Sequence, residues 1–318
     1  MDVAGEIFMG RFSSILVVLD PTAPEQPALG KVLQIAASSR AGVELLLCDT
    51  SAGYEERLLR EAPLASEVID RNLKHWLESL AAPLRDAGIE VTSAITRGKS
   101  LHMTIREWLK SSPADLVVKD AHHHSLVRRT FLSNTDWYLI RECPQPLLLT
   151  KATRWRHPPC VGAAIDPTHP QDASACQDRA IMAATATLAL ALDSRVQVFN
   201  TYYPAMLAAA VDARAPLPLP VSSEALEAER SLHLNAVASL LQGFDVPEQC
   251  RHVSMGVPSE VLPRMAEQLQ VDIMVMGALS RSPLKQSLIG STAERLLEHL
   301  PCDILTVKPM DWGGCLPF

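Results

Sequence analysis

Two stretches of equal length decide the fold: "ADLVVKDAHHHSLVRRTFLSNTDWYLIRECPQPLLLTK" (residues 114–151) and "VDIMVMGALSRSPLKQSLIGSTAERLLEHLPCDILTVK" (residues 271–308). Each begins with an apolar run, continues through a loop and a helical pattern, and ends in a second apolar run before a lysine. The stretches align without gaps at these pairs of residues: Asp115 and Asp272, Thr135 and Thr292, Pro144 and Pro301, Lys151 and Lys308. The chain therefore contains two copies of one unit.

A second pair of matching stretches extends the repeat towards the beginning of each copy. "ILVVLDPT" starts at Ile15 and "VGAAIDPT" starts at Val161, and in both an apolar run ends in Asp-Pro-Thr. Residues 152–159 form the natural linker, since their prolines and charges interrupt any periodic pattern. We therefore expect two domains, at residues 13–151 and 160–309, which fits a chain of 318 residues at ~150 residues per domain.

Each copy alternates continuous apolar runs with amphipathic helical patterns. Such alternation predicts parallel strands covered by helices on both faces. Five strands in each copy predict an α/β fold of two tandem, open, doubly wound parallel sheets. Ligands of such folds bind outside the carboxyl ends of the strands, at the point where the strand order reverses. We also expect the terminal strands, "PLLLT" and "DILTV", to join the two halves as an internal pseudo-twofold pair, since apolar edge strands need to be covered.

Composition excludes several classes of protein. A net charge of −7 disfavours a nucleic-acid-binding surface. The longest apolar run, at residues 180–192, is shorter than the ~18 residues that a membrane span needs. The first residues lack the apolar region of a secretory signal. The seven cysteines are dispersed and form no C-x-x-C pair, which is typical of reduced thiols, so we expect a cytoplasmic protein without a disulfide framework.

Several motifs in order resemble the universal stress protein family, and the two copies resemble its tandem type. These motifs are an aspartate after the first strand, "MGVPSE" after the third, and a G-x-x-(G)-x9-G-S pattern after the fourth, and the resemblance runs from about Ser13 to Pro309. It implies the strand order 3-2-1-4-5 in each copy. It also implies a non-enzymatic stress-response regulator or sensor that acts on an unidentified protein partner. The family includes ATP-binding members and members that bind no nucleotide.

Carried over by position, the resemblance implies an adenine-nucleotide site in the second copy. Asp166 would face the adenine and ribose, Asn200 would contact the base through its main chain, and Gly277 would let the chain turn close to the nucleotide. The positions implied on the phosphate side are Ser280, Arg281, Gly290, Ser291 and Thr292. Helix N-termini attract phosphate through unpaired N–H groups, and guanidinium matches phosphate geometry. ATP is thus the expected ligand, with no metal beyond a Mg²⁺ ion that accompanies it.

The sequence departs from this pattern in both copies. In the second copy Ser280 replaces the family's second glycine and resists a positive φ at a cost of ~1 kcal/mol. In the first copy Asp120 replaces the glycine after the fourth strand, and Ser133-Asn134 replaces Gly-Ser. A carboxylate there repels phosphate, so we expect the first copy to bind no nucleotide, and we expect Asp20 to be a turn residue.

Other candidates are weaker, and two alternative functions stay open. Three consecutive histidines, residues 122–124, point in different directions and suit a solvated loop better than a metal site. The chain lacks G-x-S-x-G and any other catalytic set that the residue pattern supports. The first alternative function is a nucleotide-independent scaffold for proteins or small ligands, which Ser280 favours. The second is a slow ATPase, which would need a general base near the γ-phosphate.

Overall fold

The computed structural model describes residues 11–49, 63–98, 100–121, 132–169, 175–203, 222–277 and 291–308, with the side chains of residues 63–66 and 291–294 excepted. Within these ranges the chain forms ten strands and eight α-helices. The elements of the first half are β1 (Ser14–Leu19), α1 (Pro27–Ser39), β2 (Gly42–Asp49), α2 (Pro63–Asp86), β3 (Val91–Arg97), α3 (Leu101–Ser111), β4 (Leu116–Asp120), α4 (Asn134–Glu142) and β5 (Leu147–Thr150). Those of the second half are β6 (Cys160–Ala164), α5 (Cys176–Leu192), β7 (Arg195–Tyr202), α6 (Ser223–Leu240), β8 (Arg251–Met255), α7 (Pro258–Gln268), β9 (Ile273–Gly277), α8 (Ser291–His299) and β10 (Asp303–Val307).

All ten strands belong to one sheet, in the order β3-β2-β1-β4-β5-β10-β9-β6-β7-β8. Each half thus has the predicted order 3-2-1-4-5 with parallel neighbours. At the centre β5 and β10 pair antiparallel, with Leu149 opposite Ile304. The predicted contact between the terminal strands is confirmed, and it merges the two predicted sheets into one.

Helices cover both faces of this sheet, and each helix occupies the same place in the two halves. On one face α1, α2, α5 and α6 enclose a core that includes Ile35, Leu77, Ile181 and Val237. On the other face α3, α4, α7 and α8 enclose a second core that includes Ile105 and Leu297. Because both faces are covered, five of the six residues of β1 are buried, which explains its continuous apolar sequence.

The helices on the first face also hold the halves together. α1 begins at a proline, whose fixed φ suits the first turn of a helix. It turns Ala28, Val32, Ile35 and Ala36 towards the core, and it packs against α5 across the centre of the molecule. The two halves therefore share a helical layer as well as a sheet.

The linker is part of the packed structure. Trp155 is only 8 % exposed, and its indole Nε1 donates a hydrogen bond of 2.7 Å to Asp303 of β10. Arg156 donates its main-chain N–H to Asp272, 3.1 Å away. The segment that breaks the repeat in sequence thus lies against the second half at the start of β10.

Candidate functional site

The expected ligand site lies where β6 and β9 end side by side. These strands are parallel neighbours, with Ala164 opposite Met276, so their carboxyl ends meet at one edge of the sheet. Asp166 follows β6 at this edge, and Gly277 is the last residue of β9. The topology therefore brings together two of the residues that the sequence assigned to the site.

Asp166 is half-buried and is held by its neighbours on both sides. Its main-chain N–H donates to the carboxylate of Asp178, at 2.8 Å, and the hydroxyl of Thr168 donates to its Oδ1 atom, at 3.0 Å. The same Asp-Pro-Thr turn occurs in the first half. There Asp20 accepts from the hydroxyl and the main-chain N–H of Thr22, at 2.6 and 2.9 Å, so Asp20 lies in a hydrogen-bonded turn.

Asn200 lies inside β7, two residues before the strand ends at Tyr202. Its main chain faces β8, opposite Val253, and its side chain is buried. The side-chain amide donates to the carbonyl oxygen of Ile165, at 3.0 Å, and its oxygen lies 2.9 Å from Nδ1 of His233. In this geometry Asn200 connects the end of β6 to α6.

His233 belongs to this cluster although sequence reasoning did not single it out. Its Nδ1 atom also lies 3.3 Å from the hydroxyl of Thr168, and its ring stacks on Tyr202 with centroids 4.9 Å apart. A signal existed, since His233 shares the buried face of α6 with Val237 and Leu240 at helical spacing. A histidine on such a face needs polar partners. Burial lowers the pKa of His233, against the opposing pull of Asp166 and Glu229.

Gly277 has a packing partner in the structure. A Cβ atom at this position would lie 2.7 Å from the side-chain amide carbon of Gln177, the second residue of α5. Gln177 is buried and donates its amide to the carbonyl oxygen of Val307, at 3.0 Å. The absence of a side chain at Gly277 thus makes room for Gln177.

The remaining positions assigned to the phosphate side are only partly described. Ser280, Arg281 and Gly290 lie outside the described residues, as do the three histidines at residues 122–124. Ser291 and Thr292 are the first two residues of α8. The structure therefore places a helix start at this point of the second half, as the sequence predicted.

In the first half, protein carboxylates occupy the corresponding places. Asp120 pairs with Thr150 in the sheet, just as Gly277 pairs with Val307 in the second half. The carboxylate of Asp120 accepts a hydrogen bond of 2.9 Å from the main-chain N–H of Ala28, at the start of α1. It also accepts from the hydroxyl of Thr150, at 2.6 Å. The start of α1 is therefore already paired with a negative charge.

The start of α4 is closed in the same way. Ser133 and Asp136 form a reciprocal capping box, in which each side chain accepts from the other residue's main-chain N–H. Asp136 is fully buried and pairs with Lys119, 2.9 Å away. A buried carboxylate with a lysine partner thus stands where the second half was expected to hold phosphate.

The described residues contain no candidate metal centre and no candidate membrane span. Among them there is no group of three or more His, Cys, Asp or Glu side chains placed to hold a metal ion. None of the helices formed by those residues is long and apolar enough to cross a membrane.

Comparison with known proteins agrees with the repeat and the fold. The family model for universal stress proteins matches residues 11–151 and 169–308. Universal stress protein E of Salmonella typhi is 28% identical over 310 residues, and the match covers 96% of each chain. The protein of that name from Escherichia coli K12 is 28% identical, with 95% of each chain covered.

Solved structures agree with these matches over the full length of the chain. A functionally unknown protein from Pseudomonas aeruginosa PAO1 is 25% identical, with a TM-score of 0.69 and 95% of each chain covered. A universal stress protein from Archaeoglobus fulgidus is 13% identical and shares the fold, with a TM-score of 0.61 over 96% of this chain and 99% of that one. The chain therefore belongs to the universal stress protein family, with two family domains in tandem.

Proposed function

We propose that the protein is a regulatory member of its family that binds an adenine nucleotide, ATP above all, in its second half and none in its first. Universal stress proteins are in general non-enzymatic. The proposed role is accordingly that of a sensor that acts on a protein partner in a ligand-dependent manner. The proposed site comprises Asp166 and Asn200 on the base side and residues 277–292 on the phosphate side.

One difference between the halves carries this proposal. In the first half Ser133, Asp136 and Lys119 close the start of α4. The aligned positions of the second half hold Gly290, Ala293 and Met276. Glycine and alanine have no side chain that accepts a hydrogen bond, so this capping box cannot form at the start of α8. A helix start without it favours an external anion such as phosphate.

The test introduces the capping box of the first half at the start of α8 in the second half. We expect Gly290→Ser combined with Ala293→Asp to weaken ATP binding at least ~30-fold in calorimetric titration of the full chain, because the new carboxylate takes the phosphate's place. Gly290→Val should have an effect of similar size, about 2 kcal/mol, by blocking close approach of the backbone. Ser280→Gly should leave affinity unchanged or raise it.

The controls change the corresponding residues of the first half. Asp136→Ala should leave ATP affinity unchanged, and Asp120→Gly should create no second site, since Ser133 and Asp136 still close α4. ATP binding that is equal in the parent and in the Gly290→Ser, Ala293→Asp variant would contradict the proposed site.

A nucleotide-independent scaffold is the second candidate, and Gly277 favours it. Gln177 occupies the space above Gly277, so packing within the protein explains the glycine at this position without a ligand. Under that function the parent protein would show no saturable ATP binding, and the variants of residues 290 and 293 would change stability alone.

A further inference from the structure

A cavity of about 460 Å³ lies between α5 and the turn that leads from α6 towards β8. Met182, Ala186 and Ala189 line it from α5, and Phe244 and Val246 line it from the turn. The short alanine side chains on this face of α5 leave room that larger apolar residues would fill. The volume lies within the ~300–1,000 Å³ of pockets that hold small molecules.

The floor of this cavity is apolar. Met182 and Val246 are nearly inaccessible, at 1 % and 5 % exposure, and both belong to the core on this face of the sheet. Thr185 also lines the cavity, but its hydroxyl donates to the carbonyl oxygen of Ile181, at 2.7 Å. A ligand would therefore gain affinity mainly by burying an apolar body against this floor.

The mouth of the cavity is acidic. Asp193 and Asp245 line it and are exposed, and among the described residues neither carboxylate takes part in a salt bridge. The described lining contains no lysine, arginine or histidine. Arg195 is close in sequence but faces away, since it pairs in register with Cys160, whose side chain belongs to the core on the other face of the sheet. Two carboxylates thus stand at the mouth without a cation from the lining.

The backbone does not require an aspartate at residue 193. Asp193 follows α5 with a φ of 48°, in the left-handed region, two residues before β7. Arg40 follows α1 with a φ of 54°, two residues before β2. The same turn therefore accepts a cation in the first half, and it carries a carboxylate in the second half, where the cavity lies.

We propose that this cavity binds a small organic cation, with an aliphatic or aromatic body on the apolar floor and an ammonium group facing Asp193 and Asp245. The ring of Phe244 supports the same charge, because the face of an aromatic ring attracts a cation. The concave shape suits a small molecule, whereas a protein partner would need an interface of ~800 Å² on each side.

This site goes beyond the proposed nucleotide site and is separate from it. The cavity lies at the amino end of β7, and Asn200 lies near the carboxyl end of the same strand. At ~3.3 Å per residue, Asp193 and Asn200 are roughly 20 Å apart. Binding at one site is therefore expected to leave affinity at the other unchanged.

The experiment uses three probes with one apolar body: phenylbutylamine, phenylbutanol and phenylbutyrate, which are cationic, neutral and anionic at neutral pH. Their affinities for the full chain are read from the methyl signal of Met182 in protein with ¹³C-labelled methionine methyl groups, assigned with Met182→Leu. We expect the amine to bind about 5-fold more tightly than the alcohol, since exposed ion pairs are individually weak. The carboxylate should bind more weakly than the alcohol. These differences should shrink in ~1 M salt, which screens exposed charges.

Two variants separate the charge from the cavity. Asp193→Asn combined with Asp245→Asn should make the amine and the alcohol bind alike, and asparagine tolerates the left-handed region at residue 193. Ala186→Leu fills the cavity from α5 and should abolish binding of all three probes. The matched control is Asp86→Asn, which removes an exposed carboxylate at the end of α2 and should change none of the affinities.

The parent protein alone decides the proposal, should Ala186→Leu fold poorly. Equal affinity for the amine and the carboxylate, or no saturable binding of the amine, would overturn it. Binding of the amine that leaves the Met182 signal unmoved, or that persists in a folded Ala186→Leu variant, would overturn it as well. Failure of ATP to bind would remove the proposed nucleotide site and leave this one standing.

Discussion

At the residue scale, the two halves solve one packing problem in opposite ways. The first half has a large residue on the strand and a small one on the helix, Asp120 above Ala28. The second half has Gly277 on the strand and Gln177 on the helix. In each half the polar side chain bonds to the adjoining terminal strand, at Thr150 or at Val307. The exchange conserves volume, which is what a close-packed interior requires.

This exchange predicts how Gly277 tolerates a side chain. Gly277→Ala should lower the free energy of unfolding by about 1–3 kcal/mol, because the new methyl group overlaps the amide of Gln177. In a Gln177→Ala background the same change should have a much smaller effect. Urea unfolding of the four proteins gives the coupling energy. Equal losses in both backgrounds would show that the two residues do not compete for this space.

The residue scale is also where the sequence is least informative. Asp166 and Gly277 were placed at the correct edge because strand order alone decides their position. The contact between Gln177 and Gly277, and the bond between His233 and Asn200, join residues far apart in the chain. Such pairs depend on how helices sit over strands, which no local pattern encodes.

At the scale of elements, α4 and α8 begin at aligned residues, but the amino acids at the two junctions differ in chemistry. The buried pair of Lys119 and Asp136 connects β4 to the start of α4. In the second half the aligned residues are Met276 and Ala293, an apolar pair. The family fold therefore accepts either chemistry at this junction.

The predicted consequence concerns the buried ion pair. Asp136→Ala should lower the free energy of unfolding by about 3–5 kcal/mol, because Lys119 is left buried without its carboxylate. Adding Lys119→Met reproduces the pair of the second half and should recover a large part of that loss. Denaturant midpoints of the two variants and the parent are the measurement. A double variant no more stable than Asp136→Ala would count against the ion pair as the source of the loss.

The elements themselves were predicted closely, for a physical reason. Continuous apolar runs gave every strand of the second half, and the run predicted at residues 303–307 coincides with β10. The differences are at the ends: the other predicted terminal strand, "PLLLT", covers residues 146–150, whereas β5 begins one residue later, at Leu147. Periodicity reports burial, whereas the ends of elements depend on hydrogen bonds and turns.

At the scale of the molecule, buried charges tie the halves together. Lys31 of α1 pairs with Asp303 of β10 at 2.6 Å, and both side chains are nearly inaccessible. Lys31 also donates to the carbonyl oxygen of Lys151, and Trp155 donates to Asp303. One cluster thus joins the first half, the linker and the second half.

This cluster predicts cooperative unfolding of the whole chain. Lys31→Met should lower the free energy of unfolding by about 3–5 kcal/mol, since Asp303 stays buried without its cation. Of the five tryptophans, Trp76, Trp108 and Trp137 lie in the first half, so fluorescence is weighted towards that half, whereas far-ultraviolet circular dichroism reports both halves alike. In the parent the two signals should coincide in urea. Separate transitions in the parent would mean that the halves unfold independently.

A second pair of contacts crosses the centre with the symmetry of the repeat. Lys151 follows β5 and donates to the carbonyl oxygen of Leu300, at the end of α8. Lys308 follows β10 and donates to the carbonyl oxygen of Cys143, at the end of α4. Each lysine thus caps the last helix of the other half, where the carbonyl groups of a helix end attract a cation. The alignment of these two lysines, visible in the sequence, reflects a contact that only the assembled sheet creates.

The cap made by Lys308 should give stability a dependence on alkaline pH. Burial lowers the pKa of Lys308 from 10.5 to about 8, while Cys143 and Glu142 pull it upward. Between these two values the unfolded chain holds more protons than the folded chain, so the free energy of unfolding should rise with pH across this window. The carbonyl acceptors of Arg141 and Cys143 favour the charged lysine, so we expect a gain of about 1–3 kcal/mol. The measurement is the difference in the free energy of unfolding between the parent and Lys308→Met, from pH 7.5 to 10.5. Taking this difference removes the contribution of the cysteine thiols that titrate in the same range, since both proteins contain them. If that difference stayed constant, Lys308 would keep its proton in the folded protein, and the carbonyl groups would outweigh burial.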